Sequence, residues 1–102
     1  MKSRLTNNEC LILAYIPGKW KWITRNKNGD LQLWSKKPMR FTRYYGNRWG
    51  VNTPLEDIPF MCSFPYRPLF KCVKWSDNEP SKIDSLLDQN MDFRSRELVN
   101  KR

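Results

Sequence analysis

The sequence contains no histidine. That single absence removes a histidine general base, a Ser-His-Asp triad, a histidine-dependent zinc site and the His-Glu-Cys site of the deaminases. Cysteine is scarce and odd in number: Cys10, Cys62 and Cys72. Oxidised pairing would leave one over, and no Cys-x-x-Cys spacing occurs, so reduced, at least partly buried thiols are expected and zinc is not. Acidic residues are few and badly spaced for chemistry. Glu56 and Asp57 are neighbours, and Asp84 and Asp88 would share a helix face without further ligands. There is neither a Walker glycine loop nor a D-x-D loop. The expectation is a protein that is not an enzyme, with no catalytic or metal residues and no cofactor.

Long apolar runs are missing too. The run from Cys10 to Ile16 has 7 residues, far below the roughly 18 needed to span a membrane. Glu9 precedes it and no small-residue cleavage site follows, so it does not read as a signal segment. A cytoplasmic protein without a membrane partner is the expectation.

What is present is aromatic and basic. The 102 residues include 5 Trp, 4 Tyr and 5 Phe, too many for a chain that buries nothing. The length fits one domain spanning residues 1–102. There are 19 Lys and Arg against 10 Asp and Glu, a net charge of +9. Residues 1–51 hold 11 of the basic residues against only Glu9 and Asp30, and residues 52–102 hold 8 of each sign. The whole excess therefore lies in the first half, which suggests a polyanionic partner or a solvated basic face.

Local patterns give an outline of the fold. Thr6 and Glu9 have capping-box spacing, which predicts a helix through Cys10–Tyr15 that stops near Pro17-Gly18, with a buried strand as the alternative. Lys19–Arg25 alternates, with Trp20, Trp22 and Thr24 on one side and Lys21, Ile23 and Arg25 on the other. Asn28-Gly29 turns the chain into Asp30–Ser35, where Leu31 and Leu33 oppose Gln32 and Trp34. Pro38 ends that hairpin. A third strand is predicted at Arg40–Tyr45, with a short return over Arg48–Val51. Prolines 54, 59, 65 and 68 make residues 52–69 read as an ordered connection lying over the core. Leu69–Trp75 reads as the last strand. Ser81–Gln89 reads as a helix capped by Ser81 or Asn78, with Ile83, Leu86 and Leu87 at helical spacing. The fold class expected is α+β: a small antiparallel sheet of three to five strands with an N-terminal and a C-terminal helix.

The candidate site is the basic and aromatic stretch from Lys19 to Trp49. Lys19, Lys21, Arg25, Lys36, Lys37, Arg40, Arg43 and Arg48, with Trp34, Tyr44, Tyr45 and Trp49, are the expected binding residues. Exposed aromatics beside cations can hold nucleic acid by stacking and phosphate contacts. Arginines beside Gly46 could hold the phosphate of a nucleotide. The competing expectation is that the tryptophans fill the core, Trp20 or Trp22 above all.

Ile16-Pro17-Gly18-Lys19-Trp20-Lys21-Trp22-Ile23, followed by Asn28-Gly29 and Lys37-Pro38, resembles small, mostly uncharacterised proteins encoded by bacteriophages and prophages. The likeness covers about residues 16–38, and Val73-Lys74-Trp75 adds to it. It implies a mobile-element origin and a role by binding, which in such proteins includes inhibition of host defence systems such as CRISPR nucleases. Many such inhibitors are acidic DNA mimics, whereas this chain is basic. Three uses follow as expectations: binding of nucleic acid or a nucleotide, inhibitory binding to a host protein, and a structural or assembly role.

Overall fold

A computed structural model describes residues 5–42, 47–51 and 61–90. Helix α1 spans Asn7–Ala14, and the expected capping box opens it: Glu9 N–H donates to Thr6 Oγ1 at 3.1 Å and Thr6 N–H to Glu9 Oε1 at 2.9 Å. Two of the orphan donors at the helix start are thereby satisfied. Cys10, Leu13 and Ala14 face the core, while Leu11 and Tyr15 point outward.

Strands β1 (Trp22–Arg25) and β2 (Leu31–Trp34) form the expected hairpin, in the register Trp22 to Trp34 through Arg25 to Leu31. Gly29 adopts φ 98°, the left-handed conformation that closes a three-residue hairpin loop. Asn26 N–H donates to Asp30 O at 2.8 Å, and Gly29 N–H to Asn26 O at 2.9 Å. Ile23, Leu31 and Leu33 pave one face of the hairpin and lie in the core with α1. On the opposite face Trp34 Nε1 donates to Thr24 Oγ1 at 2.8 Å, so the buried indole and hydroxyl satisfy each other.

The rest of the sheet is less local. Strand β3 (Met39–Phe41) pairs with β4 (Arg48–Gly50) as a separate two-stranded ribbon. The third predicted strand thus begins one residue early, and its end at Arg43–Tyr45 lies outside the described residues. Strand β5 (Met61–Phe64) lies within the stretch expected to be a connection and pairs antiparallel with β2. Pro59 and Pro65 flank those four residues rather than interrupt them, which an edge strand tolerates. Strand β6 is only Ser81–Lys82, paired with β1, and helix α2 (Ile83–Asn90) continues from it directly. Ser81 is therefore a ladder residue, and the helix starts two residues later than expected. The four-stranded antiparallel sheet runs β5-β2-β1-β6, with α1 and α2 packed against each other over its apolar face. This is the expected α+β class. No helix among the described residues is long and apolar enough to cross a membrane.

The predicted strand at Leu69–Trp75 does not form. The segment is a chain of turns, with Leu69 N–H donating to Tyr66 O at 2.8 Å and Val73 N–H to Phe70 O at 2.9 Å. Phe70, at φ 60°, and Val73 are buried three residues apart, a spacing of turns rather than of a pleated strand. The carbonyls of this loop converge on Arg25 instead of on a neighbouring strand. Arg25 Nε donates to Val73 O at 2.8 Å, Nη1 to Gly29 O at 2.7 Å and Arg67 O at 2.9 Å, and Nη2 to Leu69 O at 2.6 Å and Phe70 O at 3.1 Å. A guanidinium has five N–H donors, and all five are used. From the other side Glu9 Oε2 accepts the Phe70 N–H at 2.6 Å.

Replacing Arg25 by Met strands five carbonyls and should lower stability by about 3 kcal/mol. Arg25→Lys should recover only part of that, because three ammonium donors cannot reach five acceptors. Urea melts of the two variants test this. An unchanged midpoint for Arg25→Met would show that the guanidinium does not hold the loop.

Candidate functional site

The twelve expected binding residues separate into three groups. Arg25, Trp34 and Trp49 lie inward. Arg25 has no donor left for an external anion. Trp34 is 2% exposed and bonded to Thr24, so it offers no ring face to a base. Trp49 is also 2% exposed, with Nε1 donating to Arg25 O at 3.1 Å and its backbone N–H to Asn26 Oδ1 at 3.2 Å. Arg43, Tyr44 and Tyr45 lie outside the described residues. Lys19, Lys21, Lys36, Lys37, Arg40 and Arg48 are exposed.

Four of these exposed cations sit over aromatic rings of the same chain. Lys19 Nζ lies 4.9 Å from the Trp20 ring centroid, and Lys37 Nζ lies 5.7 Å from that of Trp22. The guanidinium carbon of Arg40 lies 4.9 Å from the Trp75 centroid, and that of Arg48 lies 5.5 Å from that of Phe41. The basic and aromatic interleaving read from the sequence is thus partly consumed within the molecule. A ring quadrupole holds a cation in place without cancelling its charge. Among the described residues no carboxylate lies within ion-pair distance of Lys19, Arg40 or Arg48, whereas Lys37 pairs with Glu79 at 3.2 Å. The two acidic residues of the first half are engaged elsewhere. Glu9 is buried between Thr6 and Phe70, and Asp30 lies 3.8 Å from Arg67, which also donates to Asn28 O.

Lys37 and Arg40 come together in an open groove of about 570 Å³ between the β3–β4 ribbon and the turn at residues 77–80. Pro38, Met39, Trp49 and Pro80 give it apolar walls, while Asn78 and Glu79 supply its polar rim. Arg40 is tied to that turn through Nη1, which donates to Trp75 O at 3.1 Å and Asp77 O at 3.2 Å. The turn has its own internal lock, Lys74 N–H to Asp77 Oδ2 at 3.0 Å. Asn78, Glu79 and the ring of Trp75 were not among the expected site residues. Nothing local marks them, since they meet Lys37 and Arg40 across some 35 to 42 positions of sequence.

The surroundings of the three thiols disfavour the thiolate. Burial raises the pKa of Cys10, Cys62 and Cys72; Glu9 adds to the effect at Cys10 and Cys72, while Lys19 opposes it at Cys62. All three cysteines are free. Among the described residues no cluster of three or more Cys, Asp and Glu could hold a metal ion.

Comparison with known proteins returns no relative: no family model, curated protein or solved structure matches the chain.

The raised thiol pKa values give a prediction with a definite sign. The unfolded chain loses its thiol protons first, so stability should fall as pH rises above about 8.5. In the native state at neutral pH, alkylation by iodoacetamide should be slower than for the urea-unfolded chain. Equal rates in the two states would show that burial does not protect the thiols.

Proposed function

We propose that this chain is a non-enzymatic binding protein that holds the phosphate backbone of a nucleic acid, with the groove beside the β3–β4 ribbon as its principal contact. One observation carries the reading. Lys37 and Arg40 line one groove, and each is positioned by an indole ring; Arg40 has no carboxylate within ion-pair distance among the described residues, and Lys37 has only the solvent-open pair with Glu79, which an external anion can displace. The net charge of +9 supplies the long-range field that would draw a polyanion toward it.

The mode of binding differs from a stacking platform. Rings that already carry a cation, and tryptophans that are buried, give bases little to stack on. Contacts to phosphate carry affinity and positioning, while contacts to base edges carry sequence preference. The reading is therefore of weak sequence preference and strong salt dependence. Nucleotides are bound by the same chemistry, with fewer phosphates and less affinity.

A second reading, direct binding to a host protein such as a defence nuclease, is favoured by a different surface. Leu11 is 43% and Tyr15 75% exposed, four residues apart at the outer side of α1. Pull-down from host lysate with and without nuclease separates the two readings. Capture that survives nuclease and is lost in Leu11→Ser with Tyr15→Ser favours the protein partner.

For the first reading, the measurement is oligonucleotide affinity against salt. Two to four phosphate contacts give a slope of about −1.4 to −2.8 for log K against log salt on single strands. Lys37→Gln with Arg40→Gln should flatten that slope by about 1.4. Lys27→Gln, at the far hairpin turn, should change it less. Absence of binding to both single and double strands at low salt would sink the proposal.

A further inference from the structure

Arg40 and Arg25 use their donors differently. Arg25 has every N–H on a carbonyl. Arg40, among the described residues, uses only Nη1, on Trp75 O at 3.1 Å and Asp77 O at 3.2 Å. Those two bonds occupy one end of the planar group, and the Trp75 ring lies against it at 4.9 Å. The guanidinium is thereby fixed in orientation before any ligand arrives. The nitrogens left over are Nε and Nη2. Their N–H bonds run parallel on one edge of the plane and form the side-on fork that matches two oxygens of a phosphate.

Lys37 lines the same groove, but its ammonium rests 3.2 Å from Glu79 Oε2. The two side chains are 58% and 74% exposed. An ion pair that open to solvent is weak and exchanges readily. Glu79 therefore stands in the groove as an anion of the protein's own, held by one of the two cations that an external anion would use.

We infer that Arg40 is the bidentate phosphate seat of this groove and that Glu79 is its built-in competitor. This inference rests on the nucleic-acid reading above and assigns its first contact. A phosphate seated on the Nε–Nη2 edge draws Lys37 away from Glu79, and the lysine becomes the second contact. No bond is made or broken in the exchange; one anion replaces another. The arrangement sets a threshold: isolated carboxylates compete poorly with Glu79, whereas a dianionic or repeated phosphate displaces it.

The test uses the full chain and a fluorescent single-stranded oligonucleotide at low salt, with inorganic phosphate as a separate probe. Arg40→Lys keeps the charge and loses the fork, and should weaken oligonucleotide binding about tenfold. Glu79→Gln should tighten it about threefold. That gain should vanish when Lys37→Gln is added, because the carboxylate acts through the lysine. A gain that persists without Lys37 would show only a general charge effect and overturn the competitor. Wild-type affinity in Arg40→Lys would overturn the seat and leave the nucleic-acid reading standing. If the wild-type chain binds no oligonucleotide, that reading fails by itself. Inorganic phosphate should then still move the Arg40 Nε–H resonance if the seat is real, and an unmoved resonance would overturn it. Circular dichroism of each variant confirms that the fold is retained.

Discussion

The structure depends on what happens to the carbonyl groups of the loop from Arg67 to Val73. Phe70 and Val73 enter the core from a segment that is neither helix nor strand, and the backbone dipoles go in with them. A buried carbonyl without a donor costs about 1 to 3 kcal/mol, so the loop could not take this place without partners. Arg25 supplies them with one side chain from β1, and Glu9 supplies the matching acceptor from α1. Phe70 stands between the two charges, its N–H donated to Glu9 and its C=O accepting from Arg25. Helix, hairpin and loop are joined through this one residue, at a backbone conformation that a bulky side chain rarely adopts. Both charged groups are satisfied by backbone dipoles rather than by each other, which avoids the geometric demands of a buried ion pair.

That arrangement decides where the net charge is felt. The first half of the chain has two carboxylates for eleven cations. Glu9 is committed to the α1 cap and to Phe70, and Asp30 to the hairpin turn, where it accepts from Asn28 and lies near Arg67. Arg25 takes one cation inward, and both described carboxylates of that half are committed elsewhere. Four of the described cations, Lys19, Lys37, Arg40 and Arg48, settle on aromatic rings. Attraction to a ring quadrupole falls off quickly with distance and carries no opposing net charge, so the field of the cations continues outward.

What could be read from the sequence is what local chemistry decides. The capping box of Thr6 and Glu9 lies within one turn of helix. The Asn28-Gly29 turn needs only its own residues and a glycine at positive φ. The apolar spacing of Ile83, Leu86 and Leu87 repeats over a single helix. Each of these signals is complete within a few residues, and each element forms. Leu69–Trp75 has strand-like composition, but its fate is settled by a guanidinium more than forty positions away. Beta-branched and aromatic residues describe a half-buried surface, not a ladder. Met61–Phe64 was hidden for the opposite reason, since the prolines around it mark its limits rather than its absence. At the site, the alternation of Lys and Trp does not reveal which ring each cation meets, because Lys37 reaches Trp22 and Arg40 reaches Trp75 across long stretches of sequence.

The arginines show where structure ends and binding begins, and the distinction is one of donor count. Arg25 has five acceptors around it and nothing to offer a ligand. Arg40 has two among the described residues, both on one nitrogen, plus an aromatic ring that restrains its plane. Residue type, charge and position in the basic stretch are the same for both. A fully satisfied guanidinium stabilises a fold because every donor is matched; a guanidinium satisfied on one nitrogen is oriented yet unsaturated. Orientation reduces the entropy lost on binding, and the unsaturated edge supplies the contact. The second state is what an anion site requires. Among the cations of this groove Arg40 alone combines a fixed plane with a free fork, whereas Lys37, a compact charge on a flexible stem, can follow an anion but cannot orient it.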